Sequence, residues 1–180
     1  MRIISGIFKG RTLMTPPEGT RPTADRAKEM LFDMLTSLFM KNGKRWENLK
    51  FADVFAGSGA IGLEAISHGC KEVYLFENNL VARKIIHKNG KGMNFELYGN
   101  ALKPAIAKAP VDILFMDPPY GKGLAEAALP EFLKQGWIDK NTLVIIEEDK
   151  VNTIEIPKEF LLQERRSAGR NTFYFLKKGD

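Results

Sequence analysis

The sequence predicts an α/β protein, with a mostly parallel sheet, helices on both faces and an antiparallel hairpin at the C-terminal end. Two observations carry this prediction. From Leu49 onward, short apolar runs alternate with polar or helix-like stretches almost to the C-terminus, which is the pattern of repeated βαβ units. The runs are continuously apolar, as expected for parallel strands that are covered on both sides.

The chain begins with a segment that we expect to lie outside this sheet. Residues 2–13 alternate apolar and polar positions around Gly6 and Gly10, which predicts a small hairpin. A proline-containing stretch, residues 16–19, then interrupts regular structure. We therefore divide the chain into a basic N-terminal hairpin extension, residues 1–22, and one domain of ordinary size, residues 23–180.

An amphipathic helix and the strands of a seven-stranded sheet follow in order. The helix begins near Thr23, a good N-cap residue, and ends at Asn42-Gly43. Its apolar residues recur at helical spacing, at Ala27, Met30, Leu31, Met34, Leu35 and Leu38. The sheet strands are predicted at 51–55, 73–76, 94–98, 113–116 and 142–146, and the terminal hairpin at 160–166 and 172–176.

The charge distribution points to a polyanionic partner. The chain carries a net charge of +5, and its basic residues are concentrated before Phe32, where only three acids occur. Nucleic acids are bound largely through such basic surfaces, although the solvated faces of many proteins also carry several lysines. The candidates for nucleic-acid contact in this region are Arg2, Lys9, Arg11, Arg21, Thr23, Arg26 and Lys28.

The remaining composition argues against several classes of protein. The longest apolar runs are of strand length, far short of the roughly 20 residues that a membrane helix needs. The N-terminus lacks the apolar core of a secretory signal, so we expect a cytoplasmic protein. The single cysteine, Cys70, has neither a disulfide partner nor zinc-site spacing around it, and we expect no metal.

A glycine-rich turn follows the first predicted sheet strand. Gly57, Gly59 and Gly62 form a G-x-G-x-x-G pattern at the start of a helix, where glycines permit a tight turn and close approach of a ligand. Glu77 ends the next strand, where an acid can accept hydrogen bonds from the hydroxyls of a ribose. The pattern predicts an adenosine-containing cofactor, but nicotinamide and flavin enzymes share it.

A second motif indicates the chemistry. Asp117-Pro118-Pro119-Tyr120 follows the fourth predicted strand and therefore lies at the carboxyl edge of the sheet, where ligands bind. Its two prolines remove backbone donors, so the turn offers hydrogen-bond acceptors. The Asp117 carboxylate and the Pro118 carbonyl can each accept one N–H of an amino group, and Tyr120 offers a ring for base stacking.

Together these motifs resemble those of a known group of enzymes. Residues 53–59, the strand end at Glu77 and the Asp117-Pro-Pro-Tyr120 motif resemble the signatures of class I S-adenosylmethionine-dependent methyltransferases that act on amino groups of nucleic-acid bases. Residues 2–6, 9–13 and 20–26, with Gly62-Leu-Glu-Ala-Ile-Ser67, extend the resemblance to the bacterial 16S ribosomal RNA guanine-N2 methyltransferases of the RsmD type. The resemblance implies a Rossmann-like class I methyltransferase fold for residues 23–180.

The resemblance also implies which residues bind S-adenosylmethionine. Asp53 orients the amino-acid end of the cofactor. Gly57 and Gly59 pass near its methionine and ribose parts, and Glu77 binds the ribose hydroxyls. Further cofactor contacts are implied for Phe55, Asn78, Asn100 and Ala101.

On the substrate side, the resemblance implies that Asp117 and Pro118 receive the guanine amino group beside Tyr120. Some relatives continue this motif with basic residues, whereas this chain has a Gly121-Lys122-Gly123 loop, so substrate clamping there is expected to differ. Lys122 is the remaining candidate for RNA contact. The implied partner is ribosomal RNA in an assembled or partly assembled small subunit, bound by a monomer.

Three alternatives stay open at this point. The same chemistry can serve another base, such as adenine N6 in DNA, because the purine is chosen by pocket contacts that the motif does not define. A nicotinamide-dependent oxidoreductase would use the glycine turn and Glu77, but would leave the Asp117 motif and the basic N-terminus without a function. A catalytically silent RNA-binding module would keep the fold without the activity.

Overall fold

The computed structural model describes residues 1–15, called the N-terminal segment below, and residues 25–179. The helices are α1 (Asp25–Lys41), α2 (Ala60–Ser67), α3 (Leu80–Asn89) and α4 (Leu124–Lys134), with a short 3-10 helix at Trp46–Asn48. The strands are β1 (Lys50–Val54), β2 (Glu72–Phe76), β3 (Glu96–Tyr98), β4 (Ile113–Met116), β5 (Leu143–Asp149), β6 (Phe160–Ala168) and β7 (Asn171–Lys178). Thr23, the expected N-cap of α1, lies outside the described residues.

The strands form one seven-stranded sheet in the order β3-β2-β1-β4-β5-β7-β6. Strands β1 to β5 are parallel, and β7 pairs antiparallel with both β5 and β6. The second strand of the terminal hairpin, β7, therefore lies between β5 and the first strand of the hairpin, β6. The predicted α/β class, with a mostly parallel sheet and a C-terminal antiparallel hairpin, is confirmed.

Strand β4 has its predicted bounds, and the other six strands differ from theirs by one to three residues. The differences in β5 and β3 have a clear structural reason. β5 continues past Ile146 through Glu147, Glu148 and Asp149, acids that interrupt the apolar pattern but still pair with β7 and are buried. The sequence pattern missed this extension because burial of a carboxylate depends on partners elsewhere in the chain. At the opposite edge, β3 begins only at Glu96, where its pairing with β2 starts.

Helices cover both faces of the sheet, as predicted. One face packs against α1, α2 and α3, with buried contacts from Phe32, Leu63 and Ile86. The other packs against α4 and the loop ahead of β5 through Phe132 and Trp137. The sheet thus separates two apolar layers, the arrangement expected of an α/β domain. Within the described ranges, no helix combines the length and apolarity needed to cross a membrane.

The N-terminal segment forms a hairpin-like loop that adds no strand to the sheet and closes through an isolated antiparallel bridge. It docks on α2. The backbone N–H groups of Ile4 and Ser5 donate to the Glu64 carboxylate, and the N–H of Phe8 donates to Ser67 Oγ at 2.9 Å. Glu64 and Ser67 belong to the helix motif shared with the RsmD-type enzymes, so this motif provides the docking surface for the N-terminal segment.

Lys28 was predicted to be an exposed RNA contact, and that prediction is wrong. Its side chain is fully buried. Its Nζ lies 2.9 Å from a Glu64 carboxylate oxygen and donates to the Arg2 carbonyl at 2.6 Å. The helical pattern assigns Lys28 to the polar face of α1, but the N-terminal segment covers that position and α2 supplies the counter-charge. Lys28 therefore holds the N-terminal segment, α1 and α2 together.

The cysteine and the histidines lie outside the sheet edge that carries the motifs. Cys70 is buried and donates to the Leu49 carbonyl at 3.0 Å, and burial raises the pKa of its thiol to about 12. His68 caps the C-terminal end of α2, where burial lowers its pKa. His87 is exposed in the last turn of α3.

Candidate active site

The carboxyl ends of β1, β2 and β4 border a cleft of about 620 Å³. In open parallel sheets this edge is where ligands bind, and the volume lies in the range of small-molecule and cofactor sites. The N-terminal segment contributes its two ends, Met1 and Thr15, to the wall. The predicted site residues that line the cleft are Asp53, Phe55, Gly57, Glu77, Asn78, Asp117, Pro118 and Tyr120.

The glycine turn connects β1 to α2. Phe55, directly after β1, has a φ of 66°, a left-handed conformation that carries strain in a bulky residue and that is often found at functional sites. Gly57 and Gly59 share this region with φ of 55° and 78°, at no such cost. A Cβ on Gly62 would lie 2.2 Å from Leu75 Cδ2, so the third glycine is what lets α2 pack directly on β2.

Asp53 lies beneath the turn and is buried. Its Oδ2 accepts a hydrogen bond from the Gly62 N–H at 2.9 Å, which ties β1 to the first turn of α2. Burial, with a smaller contribution from the nearby charge of Glu77, raises the pKa of Asp53 to about 7. A cationic group bound in the cleft would favour the ionised form and lower this pKa.

Glu77 follows the last residue of β2 and faces the glycine turn. Its Oε2 accepts from the Gly57 N–H at 2.8 Å, and its Oε1 accepts from the Asn79 N–H at 2.7 Å. A carboxylate oxygen has room for a further donor after accepting one such bond. The two oxygens are therefore oriented by the backbone while they remain able to accept from a ligand.

The Asp117-Pro118-Pro119-Tyr120 turn leaves the sheet at the end of β4. Pro118 is buried, Pro119 is exposed, and Asp117 and Tyr120 are half-buried. Burial raises the pKa of Asp117 well above its usual value, and the charges of Glu147, Asp53 and Glu148 add to this effect. A raised pKa makes the ionised carboxylate a stronger proton acceptor than an exposed aspartate.

The acids that extend β5 support this turn from behind. Tyr120 donates through its hydroxyl to Glu147 Oε1 at 3.3 Å, and the Gly121 N–H donates to Glu148 Oε2 at 3.4 Å. Asp149 lines the cleft itself. These three acids were not among the predicted site residues, although three consecutive acids at the end of an apolar strand are a signal that the sequence offers.

The chain matches the family model described as Conserved hypothetical protein 95 over residues 1–177. It belongs to this family. The Ribosomal RNA small subunit methyltransferase D of Escherichia coli K12 is 32% identical, with 94% of this chain and 86% of that protein covered. The protein of the same name from Buchnera aphidicola subsp. Acyrthosiphon pisum is 33% identical, with 96% and 90% covered. A hypothetical protein from Thermus thermophilus, of known structure, is 31% identical with a TM-score of 0.80, and 98% and 99% of the two chains are covered.

Membership of this family confirms the resemblance to the RsmD type that the motifs indicated. The strand order and the similarity to solved methyltransferases also confirm the Rossmann-like methyltransferase fold. Relatives and chain correspond over nearly their full lengths, including the N-terminal segment. That segment is thus part of what the family shares, together with the sheet.

Three of the predicted cofactor residues do not line the cleft. Gly59 lies behind the turn as the N-cap of α2. The Asn100 side chain accepts from the backbone N–H groups that follow it. Ala101 is buried, and its N–H donates to Asn78 Oδ1 at 3.2 Å. The neighbouring Leu102 lines the cleft in their place, so Asn100 and Ala101 position the wall of the cleft.

The predicted RNA-contact residues occupy different environments. Arg2, Lys9, Arg26 and Lys122 are exposed. Arg11 is half-buried, with its guanidinium 4.6 Å from the centre of the Phe8 ring. Arg21 and Thr23 lie outside the described residues. Among the residues that are described, no group of three or more histidine, cysteine or acidic side chains is arranged to hold a metal ion.

Proposed function

We propose that the chain transfers a methyl group from S-adenosylmethionine to the exocyclic N2 amine of a guanine in small-subunit (16S) ribosomal RNA. The observation that carries this proposal is that the Asp117-Pro-Pro-Tyr120 turn lines the same cleft as the glycine turn and Glu77. A cofactor bound by the glycine turn and Glu77 would therefore lie next to an amino group bound by the Asp117 turn. The names of the bacterial relatives support ribosomal RNA as the substrate.

The residues of the cleft fit S-adenosylmethionine. Glu77 presents two oriented carboxylate oxygens to a ribose, and Asp53 can face a charged amino-acid end. Apolar side chains suited to a purine ring complete the wall, namely Ile61, Ala82, Leu102 and Phe115. When bound, the cofactor supplies a methyl group activated by a sulfonium.

Asp117 and Pro118 are assigned to the guanine amino group. Each accepts one N–H, so the nitrogen is held facing the methyl carbon. As nitrogen bonds to this carbon, the carbon–sulfur bond breaks with its electron pair on sulfur, and nitrogen is left with an extra proton. Asp117, whose pKa is raised by burial and by Glu147, can take up that proton and pass it to water.

Ribosomal RNA binding is assigned to residues near the N-terminus and to one in the loop after the Asp117 turn, namely Arg2, Lys9, Arg11, Arg21, Thr23, Arg26 and Lys122. Phosphate contacts supply most of the affinity in such complexes. The target guanine would be flipped out of its stack and packed against Tyr120. We further propose that the protein acts as a monomer in the cytoplasm, on an assembled or partly assembled small subunit.

The proposal is tested in a strain that lacks the gene. Mass spectrometry of nucleosides from its 16S RNA should show the loss of one N2-methylguanosine, and the purified protein with S-adenosylmethionine should restore it on small subunits from that strain. An unchanged level of N2-methylguanosine would reject the ribosomal assignment. A loss of N6-methyladenine from DNA would favour the adenine alternative.

Ligand binding distinguishes the proposed methyltransferase from the oxidoreductase alternative. In calorimetric titration we expect S-adenosylhomocysteine to bind and NAD not to bind, because the relatives are named as methyltransferases and the Asp117 turn would have no function in an oxidoreductase. The reverse result would overturn the cofactor assignment. A protein that binds both S-adenosylhomocysteine and small subunits but methylates neither RNA nor DNA would be the silent module.

A further inference from the structure

Two segments that lack acidic residues come together beside the cleft. The N-terminal segment contains Arg2, Lys9 and Arg11 but no aspartate or glutamate, and residues 78–95 contain four Lys or Arg residues and likewise no acid. The two segments are far apart in the sequence. They meet where Arg11 Nη1 donates to the carbonyls of Asn89 at 3.3 Å and Lys91 at 2.7 Å.

This contact creates a surface that we call the α3 basic patch, consisting of Arg11, Lys84, Lys88 and Lys91. The three lysines are exposed. Lys84 and Lys88 are four residues apart on α3, which places them on the same side of the helix at a spacing of about 6 Å along its axis. Among the described residues, none of the three lysines takes part in an ion pair.

The patch adjoins the cleft through Asn89. The Asn89 side chain donates to the Ser58 carbonyl at 2.9 Å and accepts from the Met14 N–H at 2.8 Å. Ser58 lines the cleft, and so does Thr15, the residue after Met14. A polyanion lying on the patch would therefore pass beside the wall of the active site.

Stabilisation of α3 does not account for this surface. Lysines in the last turn of a helix favour its dipole, and Lys88 has that position. Lys84 lies further back in the helix, however, and Arg11 comes from another segment. The positive charges of two adjoining segments that contain no acid repel one another. A phosphate backbone bound there would neutralise these charges and remove the repulsion.

We propose that the α3 basic patch binds the phosphate backbone of ribosomal RNA next to the target nucleotide. This rests on the proposed function and adds α3 to the N-terminal segment as an RNA-binding element. Phosphate contacts fix the register of a protein on its nucleic acid and carry no base specificity. The patch therefore sets which nucleotide the cleft can reach, while the Asp117 turn selects the amino group.

The test compares two double variants with the same change of charge. Lys88→Ala/Lys91→Ala removes two of the four positive charges of the patch. Lys134→Ala/Lys140→Ala removes two exposed lysines at the end of α4 and in the loop before β5. With small subunits from the deletion strain, we expect the patch variant to raise KM roughly five- to thirtyfold, with kcat and S-adenosylhomocysteine affinity unchanged. Its slope of log affinity against log salt should fall by roughly 1 to 2. The control should match the wild type.

Each other outcome decides against the patch. Equal KM values in the two double variants would overturn it. A raised KM with an unchanged salt slope would assign the surface to a ribosomal protein. If the wild type methylated no small subunit, the proposed function would fail separately, and the patch would be judged by salt-dependent binding of the two variants to small-subunit RNA, where equal binding rejects it.

Discussion

Asp117 is the residue whose replacement should distinguish substrate binding from cofactor binding. It lies at the end of β4, whereas Glu77 lies at the end of β2, and the charges nearest to it are those of Glu147, Asp53 and Glu148. We expect Asp117→Ala to lower methyl transfer by at least about a hundredfold, because an acceptor and a proton carrier are both lost, while S-adenosylhomocysteine affinity stays within a few-fold. Methyl incorporation into small subunits and calorimetry measure the two effects.

Asp117→Asn serves as the matched variant, because it keeps an oxygen that can accept an N–H but cannot take up a proton. It should retain more substrate affinity than Asp117→Ala while its kcat remains low. If either variant lost cofactor affinity in parallel with activity, Asp117 would belong to the cofactor site.

Asp53 links the free energy of unfolding to pH. Burial raises its pKa from 3.8 to about 7, so between these values the folded chain holds a proton that the unfolded chain releases. The free energy of unfolding therefore falls as pH rises through this window and levels off above it. Asp53→Asn keeps an acceptor for the Gly62 N–H but does not titrate, and should remove a fall of up to about 4 kcal/mol.

Urea unfolding of the ligand-free protein at about pH 4.5 and about pH 7.5 measures this effect. The raised pKa of Asp117 acts in the same direction and is present in both proteins, and the charge of Asp53 contributes to it. The difference between wild type and Asp53→Asn therefore reports Asp53 together with its smaller effect on Asp117. Parallel pH profiles for the two proteins would show that Asp53 is ionised throughout.

Among the elements, α2 connects the glycine turn to the N-terminal segment. Its N-terminal end follows the glycine turn, and its later residues Glu64 and Ser67 bind the N-terminal segment. The fit is close, because a Cβ on Gly6 would lie 1.7 Å from the Ser67 carbonyl oxygen. The glycine turn adjoins the N-terminal end of this short helix, and the N-terminal segment is bound by its later residues.

The buried Lys28–Glu64 pair tests this organisation. Both side chains are fully buried, so Lys28→Met or Glu64→Gln alone leaves one group without its partner and should lower the free energy of unfolding by about 3–5 kcal/mol. The double variant should lose clearly less than the sum of the two. Chemical denaturation of all four proteins gives the coupling energy, and strict additivity would show that the two groups do not stabilise each other.

The sequence predicted elements well wherever a local pattern decides the outcome. β4 was predicted with the bounds that it has, because its apolar run is buried on both sides and flanked by polar residues. The cleft residues of the glycine turn, Glu77 and the Asp117 turn were found because motifs at strand ends converge on one edge of a parallel sheet. Lys28 and Glu147 were missed because burial of a charge depends on partners distant in sequence.

At the scale of the whole molecule, Asn89 joins the three parts that the proposed reaction needs. It is buried at the end of α3. Its side chain exchanges hydrogen bonds with the backbone of Met14 at 2.8 and 2.9 Å and donates to the Ser58 carbonyl in the glycine turn at 2.9 Å. A shift of the N-terminal segment can therefore reach the glycine turn directly through the Asn89 side chain.

This arrangement predicts that RNA and cofactor strengthen each other's binding and that Asn89→Ala uncouples them. The variant leaves the buried Ser58 carbonyl and the Met14 backbone groups without their Asn89 partner, so S-adenosylhomocysteine affinity should fall roughly tenfold. Small-subunit affinity, measured with and without S-adenosylhomocysteine, should differ in the wild type and become equal in Asn89→Ala, and linkage requires the same factor in the reverse titration. Asn141→Ala, at an exposed site before β5, is the control. A coupling factor that survives in Asn89→Ala would show that the N-terminal segment and the glycine turn communicate by another route.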